Sequence, residues 1–535
     1  MPGVSSFIDT ARLRYVVIVS LAYTLLTNLP YYQMLFGQQP DLFARAMTLS
    51  LVYALAVFSV LSLLGRLGKA LLVFVCLTSA VVLYFSLTFG YAQSKDMFAL
   101  VWNTNMHEAM GVLSPMLIVY TAAGALFAYA AVRRFPPRPS LRSLTMVLVF
   151  ALLCVGAKNL QPYEMKGRHP MPAGYLSHFG HAVKQQWRMK KLIASRTELP
   201  GPVVCEREGR EPVIVVLALG ESLRADHLSL YGYPRETTPR ASTLPLTVFD
   251  RCYSAGAGTT ESVTRMLTRA TIANPDPALK EKSVITLFRR AGFRTIWLTN
   301  QGAMATGETP VASIARESEI FQTHPSVYTV NARIQDADLL PMLDEALRTV
   351  DRDTLIVLHS FGSHINPEHR YADKFRIFAP VCTSASVADC SDDALINSYD
   401  NSVLATDSYW EGIVERLKDK NAVLFITADH GDRLHGKYRG HSPELMDHPE
   451  LRWVPFMIYA SPALRRDARV SAMLDNADAR RTEPCSHDNL FHSLLSIAGI
   501  QTPAYDASLD LFSPDLKPHT DPYTVIEGPE QTLPH

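Results

Sequence analysis

"VLFITADHGDRLHG" (residues 423–436) begins as an apolar run and ends with Asp429, His430 and Asp432 side by side. Burying carboxylates and an imidazole is costly unless they are paired or hold a metal. The apolar half is too short for a lone helix and suits a strand buried on both faces. Similar runs recur at "PVIVVLALG" (212–220), "TIWLTN" (295–300), "TLIVLHSF" (354–361) and "VPFMIYA" (454–460). Helical patterns lie between them, at "KSVITLFRRAG" (282–292), "ADLLPMLDEALRTV" (337–350) and "DALINSYDNSVLATDSYWEGIVERLKD" (393–419). Strands alternating with helices predict an α/β doubly wound domain around a parallel sheet. In such sheets ligands bind beyond the carboxyl ends of the strands.

Polar residues collect at those ends. The run at 212–220 leads into Glu221, the run at 354–361 into His364, and the run at 422–427 into Asp429 and His430. One of these alone reads best as a cap or ion pair. Several on one sheet edge favour a divalent metal, with zinc or manganese preferred over calcium by the nitrogen and oxygen donors. "YSAGAGTTESVTRML" (253–267) is a small-residue loop running into a helix, with Thr259 and Thr260 at the junction. A hydroxyl at a helix N-terminus beside a metal can attack a phosphoryl or sulfuryl group.

Residues 1–160 differ in kind from the rest. Five apolar runs, 15–36, 46–64, 70–90, 112–132 and 143–158, are near the length that crosses a bilayer. Arg12, Arg14, Arg66, Lys69, Arg133, Arg134, Arg138 and Arg142 flank alternate ends, while the other loops hold little beyond Arg45 and Lys95. By the positive-inside rule the N-terminus is cytoplasmic and the large domain lies outside. The expected division is a transmembrane domain at 1–158, an irregular, basic interfacial linker at 159–210 and a catalytic domain at 211–535. Lys+Arg and Asp+Glu both number 51, so net charge gives no reason to expect nucleic acid as a partner. Of seven cysteines, Cys382 and Cys390 bracket a short polar loop and are the expected disulfide; Cys205, Cys252 and Cys485 are given no role.

Several longer motifs resemble one family. They are "GESLRADHLSLYGYPRETTPR" (220–240), "GTTESV" (258–263), "NSYDNSVLATD" (397–407), "TADHGD" (427–432) and "DNLFHSLLSIAGIQTPAYDASLD" (488–510). Together with the five spans, they resemble the membrane phosphoethanolamine transferases of Gram-negative bacteria, within the alkaline phosphatase and sulfatase superfamily. The resemblance implies zinc held by Glu221, Thr259, Asp429 and His430, with Thr259 also the nucleophile. It implies that His364 and His441 flank the phosphoryl group or a second zinc, with His435 and His448 as rivals for the place of His441. It matches Thr104 and Glu108, in "DMFALVWNTNMHEA" (96–109), to a segment that meets the lipid donor. The family often flanks its nucleophile with a disulfide, where this chain has Ala255 and Arg265. A lysine of many members has no counterpart around "TNQGAMATGE" (299–308), and Leu100 replaces an asparagine.

The function implied is transfer of phosphoethanolamine from phosphatidylethanolamine to an envelope acceptor, releasing diacylglycerol. Lipid A, lipopolysaccharide core heptose or Kdo, and a periplasmic glucan all qualify as acceptors. The expected setting is the bacterial inner membrane, multi-pass, with a monomeric chain and a periplasmic catalytic domain. Manganese is the less favoured metal. The competing readings are a phosphoglycerol transferase resembling the lipoteichoic acid synthases, against which "YGYPRETTP" speaks, and an inactive envelope scaffold of the same fold.

Overall fold

The structure is a computed structural model of the 535-residue chain. It describes residues 9–517 apart from 30–31, 33–39, 90–113, 137–140, 158–170, 208–210, 302–308, 326–332, 365, 385–386, 437–438 and 442–447. The described residues form two compact units that part between Arg188 and Met189.

The first unit is helical: α1 (Thr10–Thr27), α2 (Pro40–Leu63), α3 (Gly65–Phe89), α4 (Pro115–Arg133) and α5 (Leu141–Ala157). Each expected span contributes one of these helices. Among the described residues, α2, α3 and α4 are long and apolar enough to cross a membrane, and α5 is a shorter apolar helix. α1 carries Arg12 and Arg14 among its first five residues, which lowers its mean hydropathy. Ile118, Leu126, Leu152 and Val155 are exposed, as side chains that face lipid must be. The expected irregular linker instead contains α6 (Ala173–Ala194). Its second half is rich in Lys, Arg, Gln, Met and Leu, all good helix formers.

The second unit is built on seven strands: β1 (Ile214–Gly220), β2 (Leu246–Val248), β3 (Arg294–Thr299), β4 (Ile320–Thr323), β5 (Thr354–His359), β6 (Ala422–Ala428) and β7 (Phe456–Ala460). Their order across the sheet is β2-β7-β6-β1-β5-β3-β4. β1 lies at the centre, parallel to both β5 and β6. Val215, Leu217 and Leu219 of β1 enter one large core, together with Val357 of β5 and Phe425 of β6. That core includes α7 (Thr259–Met266), α8 (Val284–Arg290) and, near the C-terminus, Leu490–Ile497. Between β4 and β6 lie α9 (Leu340–Arg348) and α10 (Asp392–Leu417), which pack on β3 and β6 respectively.

The all-parallel expectation fails at β7, which runs antiparallel to β6 and to β2. A parallel return needs a crossover, usually a helix, to carry the chain back to the starting edge. Among the described residues between β6 and β7 there is only a short 3-10 turn, Pro449–Leu451, and the two-residue strand Trp453–Val454. The edge strands β2 and β4, of three and four residues, were not expected. The disulfide Cys382–Cys390 is present, with Cα atoms 5.5 Å apart. Cys252 and Cys485 are free and face one another across two short parallel strands.

Candidate metal centre

Register brings the polar strand ends together. Gly220 of β1 pairs with Ala428 of β6, so Glu221 and Asp429 leave adjacent strands at the same level. On the other side, Leu219 pairs with His359, and the loop after β5 folds back over Glu221. Ser363 donates its N–H to the Glu221 carbonyl at 3.0 Å. Gly362 makes this possible: its φ is +56°, and a Cβ there would lie 2.2 Å from the Glu221 carbonyl oxygen. Gly431 has a similar task, since a Cβ would sit 2.0 Å from the Glu450 carbonyl oxygen.

α7 is seated against the same point. Ser262 donates to the Asp429 carbonyl at 2.5 Å, and Ser254 donates to that carbonyl from the loop before the helix. His487 supports both, its Nδ1 lying 3.0 Å from Ser262 Oγ and 3.2 Å from the Ala255 nitrogen. Thr259 therefore opens α7 facing the carboxylates. Its Oγ1 is 3.1 Å from each Glu221 oxygen and 3.4 Å from His430 Nε2.

Four donor atoms thus surround one point. His430 Nε2 is 3.2 Å from Glu221 Oε1 and 3.3 Å from Asp429 Oδ2. A tetrahedron of donors about 2.0–2.1 Å from zinc has edges of about 3.3–3.4 Å, close to these separations. Glu221, Asp429 and His430 are all at most 1% exposed. Asp429 Oδ2 accepts no hydrogen bond among the described residues. His430 Nδ1 lies 2.8 Å from the Gly431 carbonyl, which can only accept, so Nδ1 carries a proton and Nε2 is the nitrogen that faces the cluster.

The charges point the same way. Burial and the neighbouring Glu221 charge push the Asp429 carboxyl well above its ordinary range. Burial opposes ionisation of Glu221 too, but the hydrogen bond and charge of His430 hold it well below that range. Two buried carboxylates of this kind suit a bound cation, and the donor set fits zinc.

Two more imidazoles line the cluster. His441 lies with its ring centre 4.1 Å from that of His430 and 5.4 Å from that of His364. Glu221, His430 and His441 present ligand atoms within 4.8 Å of one another. His441 Nδ1 is 3.1 Å from Asp432 Oδ1, which accounts for the third polar residue of the opening stretch. His435 and His448 stand elsewhere, 3.7 and 3.9 Å from Glu450. Burial lowers His364 to about 4, against the pull of Glu221. Thr104 and Glu108 lie outside the described residues.

Two contributors were not read from the sequence. Gln301 donates from its side-chain nitrogen to Glu221 Oε2 at 3.0 Å, and His487 holds the loop before α7 as described above. An amide in a loop carries no periodic or charge signal. His487 directly precedes the quoted motif beginning at Asp488, so only its neighbours stood out.

A mostly parallel central sheet with a carboxylate, imidazole and hydroxyl cluster at its carboxyl edge, arranged so that it could hold a metal, is the architecture of an α/β enzyme of the sulfatase class. The chain belongs to the sulfatase family, whose profile matches residues 214–500. Residues 50–161 match a second profile, phosphoethanolamine transferase EptA/EptB. The phosphoethanolamine transferase EptA of Salmonella typhimurium is 28% identical over 470 residues, covering 82% of this chain and 84% of that protein. In fold, the integral membrane lipooligosaccharide phosphoethanolamine transferase A (EptA) from Neisseria meningitidis superposes with a TM-score of 0.80 at 23% identity, covering 93% of this chain and 98% of that one. The C-terminal periplasmic domain of EcEptC from Escherichia coli, in complex with Zn, matches with a TM-score of 0.54 at 26% identity, over 60% of this chain and 92% of that one. The chain is thus a multi-pass membrane protein with a sulfatase-like domain on the periplasmic side.

Proposed function

We propose that this protein transfers phosphoethanolamine from phosphatidylethanolamine to a glycan or lipid of the bacterial envelope. The similarity to phosphoethanolamine transferases supports the transferred group. The observation that carries the mechanism is the position of Thr259 Oγ1, at a helix N-terminus within 3.1–3.4 Å of Glu221 and His430. Glu221, Thr259, Asp429 and His430 hold zinc in this reading. Bound there, zinc lowers the pKa of a coordinated hydroxyl and draws charge off a phosphoryl oxygen.

Thr259 Oγ1 attacks phosphorus in line, and the bond from phosphorus to the diacylglycerol oxygen breaks. His441 gives that oxygen its proton; Asp432, 3.1 Å from His441 Nδ1, stabilises the imidazolium beforehand. Thr259 then carries phosphoethanolamine as a phosphodiester. His364, kept neutral by burial, takes the proton from the acceptor hydroxyl or phosphate as it attacks phosphorus, and the bond from phosphorus to Thr259 Oγ1 breaks. Thr104 and Glu108 meet the donor headgroup, and five spans with a cytoplasmic N-terminus keep the site at the outer surface.

The test is peptide mass spectrometry of the zinc-loaded full chain in detergent after incubation with phosphatidylethanolamine, beside Thr259→Ala. A phosphoethanolamine adduct on Thr259, absent from the variant, is expected. No adduct and no diacylglycerol would overturn the proposed donor. An adduct formed from phosphatidylglycerol instead would make the chain a phosphoglycerol transferase.

A further inference from the structure

Glu221 has two oxygens but only one can serve a tetrahedral site without crowding it. Oε1 lies 3.2 Å from His430 Nε2 and also accepts from Ser222 Oγ at 3.1 Å. Oε2 is also 3.1 Å from Thr259 Oγ1, and it alone of the two oxygens has the side-chain nitrogen of Gln301, 3.0 Å away. The same nitrogen donates to the Ser360 carbonyl at 2.9 Å. Both partners only accept, which fixes the amide with its NH2 end toward them. Gln301 is buried, and its own main-chain N–H is pinned to Thr299 Oγ1 at 3.0 Å, just past the end of β3. The carboxamide therefore ties the Glu221 carboxylate to the main chain of the loop that leads to His364.

We infer that Gln301 is a positioning residue for the metal centre, selecting Oε1 of Glu221 as the single ligand oxygen. The inference rests on the zinc reading above. A donor fixed on Oε2 prevents rotation of the carboxylate and keeps it from chelating with both oxygens. Partners of this kind behind a ligand commonly change metal affinity by about 10–100-fold.

The experiment is zinc binding by the full chain in detergent, measured by competition with a chromophoric chelator, for wild type, Gln301→Met and Gln301→Ala. Methionine keeps the length and removes the donor. We expect zinc affinity to fall by about 10–100-fold in both variants, while the unfolding temperature of the metal-free protein falls only by the few degrees that a lost buried hydrogen bond costs. That second readout separates positioning from folding, because a merely structural role would lower it without a matching loss of zinc. Wild type that binds zinc, with variants that bind it equally, overturns the inference and leaves the zinc reading standing. Variants whose metal-free form is destabilised in step with the lost affinity overturn it too. Wild type that binds no zinc overturns the metal reading and this inference together.

Discussion

Asp336 sits beneath the loop that delivers His364, and its carboxyl is buried. It accepts the Gly362 N–H at 3.0 Å and has Thr406 Oγ1 at 3.4 Å. Burial pushes its pKa from 3.8 up to about 6, and the hydrogen bonds from Gly362 and Ser360 only partly offset this. The folded pKa is thus above the unfolded one, so the fold favours the protonated acid. That stabilisation is complete below the unfolded pKa and is lost as pH rises through the folded value. Asp336→Asn keeps the carbonyl acceptor and cannot ionise. Relative to wild type, the variant should gain roughly 2 kcal/mol of stability between about pH 4.5 and about pH 7.5. Chemical denaturation at the two pH values checks this, and equal pH slopes for both proteins would refute it. A second prediction follows from Gly431. A methyl 2.0 Å from the Glu450 carbonyl oxygen cannot be absorbed by a side-chain rotation, because the obstacle is backbone. Gly431→Ala should cost about 1–3 kcal/mol, as overpacking does, and weaken zinc binding through the displaced Asp429–His430 pair. Thermal unfolding and chelator competition measure the two effects.

α10 binds two of the quoted motifs to each other. Asp400 and Asp407 are two turns apart on one face of the helix, and both are fully buried. Asp400 takes His227 Nδ1 at 2.7 Å, the Tyr233 hydroxyl at 3.0 Å and Arg235 at 2.8 Å. Asp407 takes the backbone N–H groups of Arg240 and Ala241, at 3.0 and 2.7 Å. Tyr399 receives the Arg224 N–H at 2.9 Å and donates to the Ser222 carbonyl at 2.8 Å. The segment "YGYPRETTPR" is therefore a strap fastened to "NSYDNSVLATD", and it anchors the chain immediately after Glu221. Asp400→Ala strands an arginine, a tyrosine and a histidine. It should cost about 3–5 kcal/mol, with Asp400→Asn costing less because one acceptor oxygen survives. Unfolding curves of the two variants against wild type test the order. At this scale the sequence was legible in part. All five short apolar runs read between residues 212 and 460 became strands, because continuous burial writes itself as continuous hydrophobicity. Strand direction does not, so β7 came out reversed. The strap was visible as a motif, but its role was not, since periodicity cannot reveal which buried carboxylate meets which distant donor. The candidate metal ligands were legible because several charged residues ended apolar runs on one sheet edge and the motifs around them resembled one family, whereas Gln301 resembled any loop amide.

The two units differ in what should hold them together, and the metal makes that difference measurable. Glu221, Thr259, Asp429 and His430 all belong to the second unit, and they come from three places in its sequence. A cation there cross-links the ends of β1 and β6 to α7 and relieves the repulsion that pushes Asp429 up. An ion that binds the folded but not the unfolded unit stabilises it by about 4 kcal/mol when free zinc is about a thousand times its dissociation constant. None of the proposed ligands lies in the helical unit, whose apolar helices α2, α3 and α4 are instead long enough to cross a membrane. Calorimetry of the full chain in detergent should therefore show one transition that falls by several degrees on addition of EDTA and returns with zinc, with any transition of the helical unit unmoved. In Asp429→Asn the zinc-dependent shift should shrink, although that variant also removes a buried charge and should make the metal-free protein no less stable. A transition that ignores EDTA in wild type, in protein shown to contain zinc beforehand, would mean that the metal lies outside this cluster.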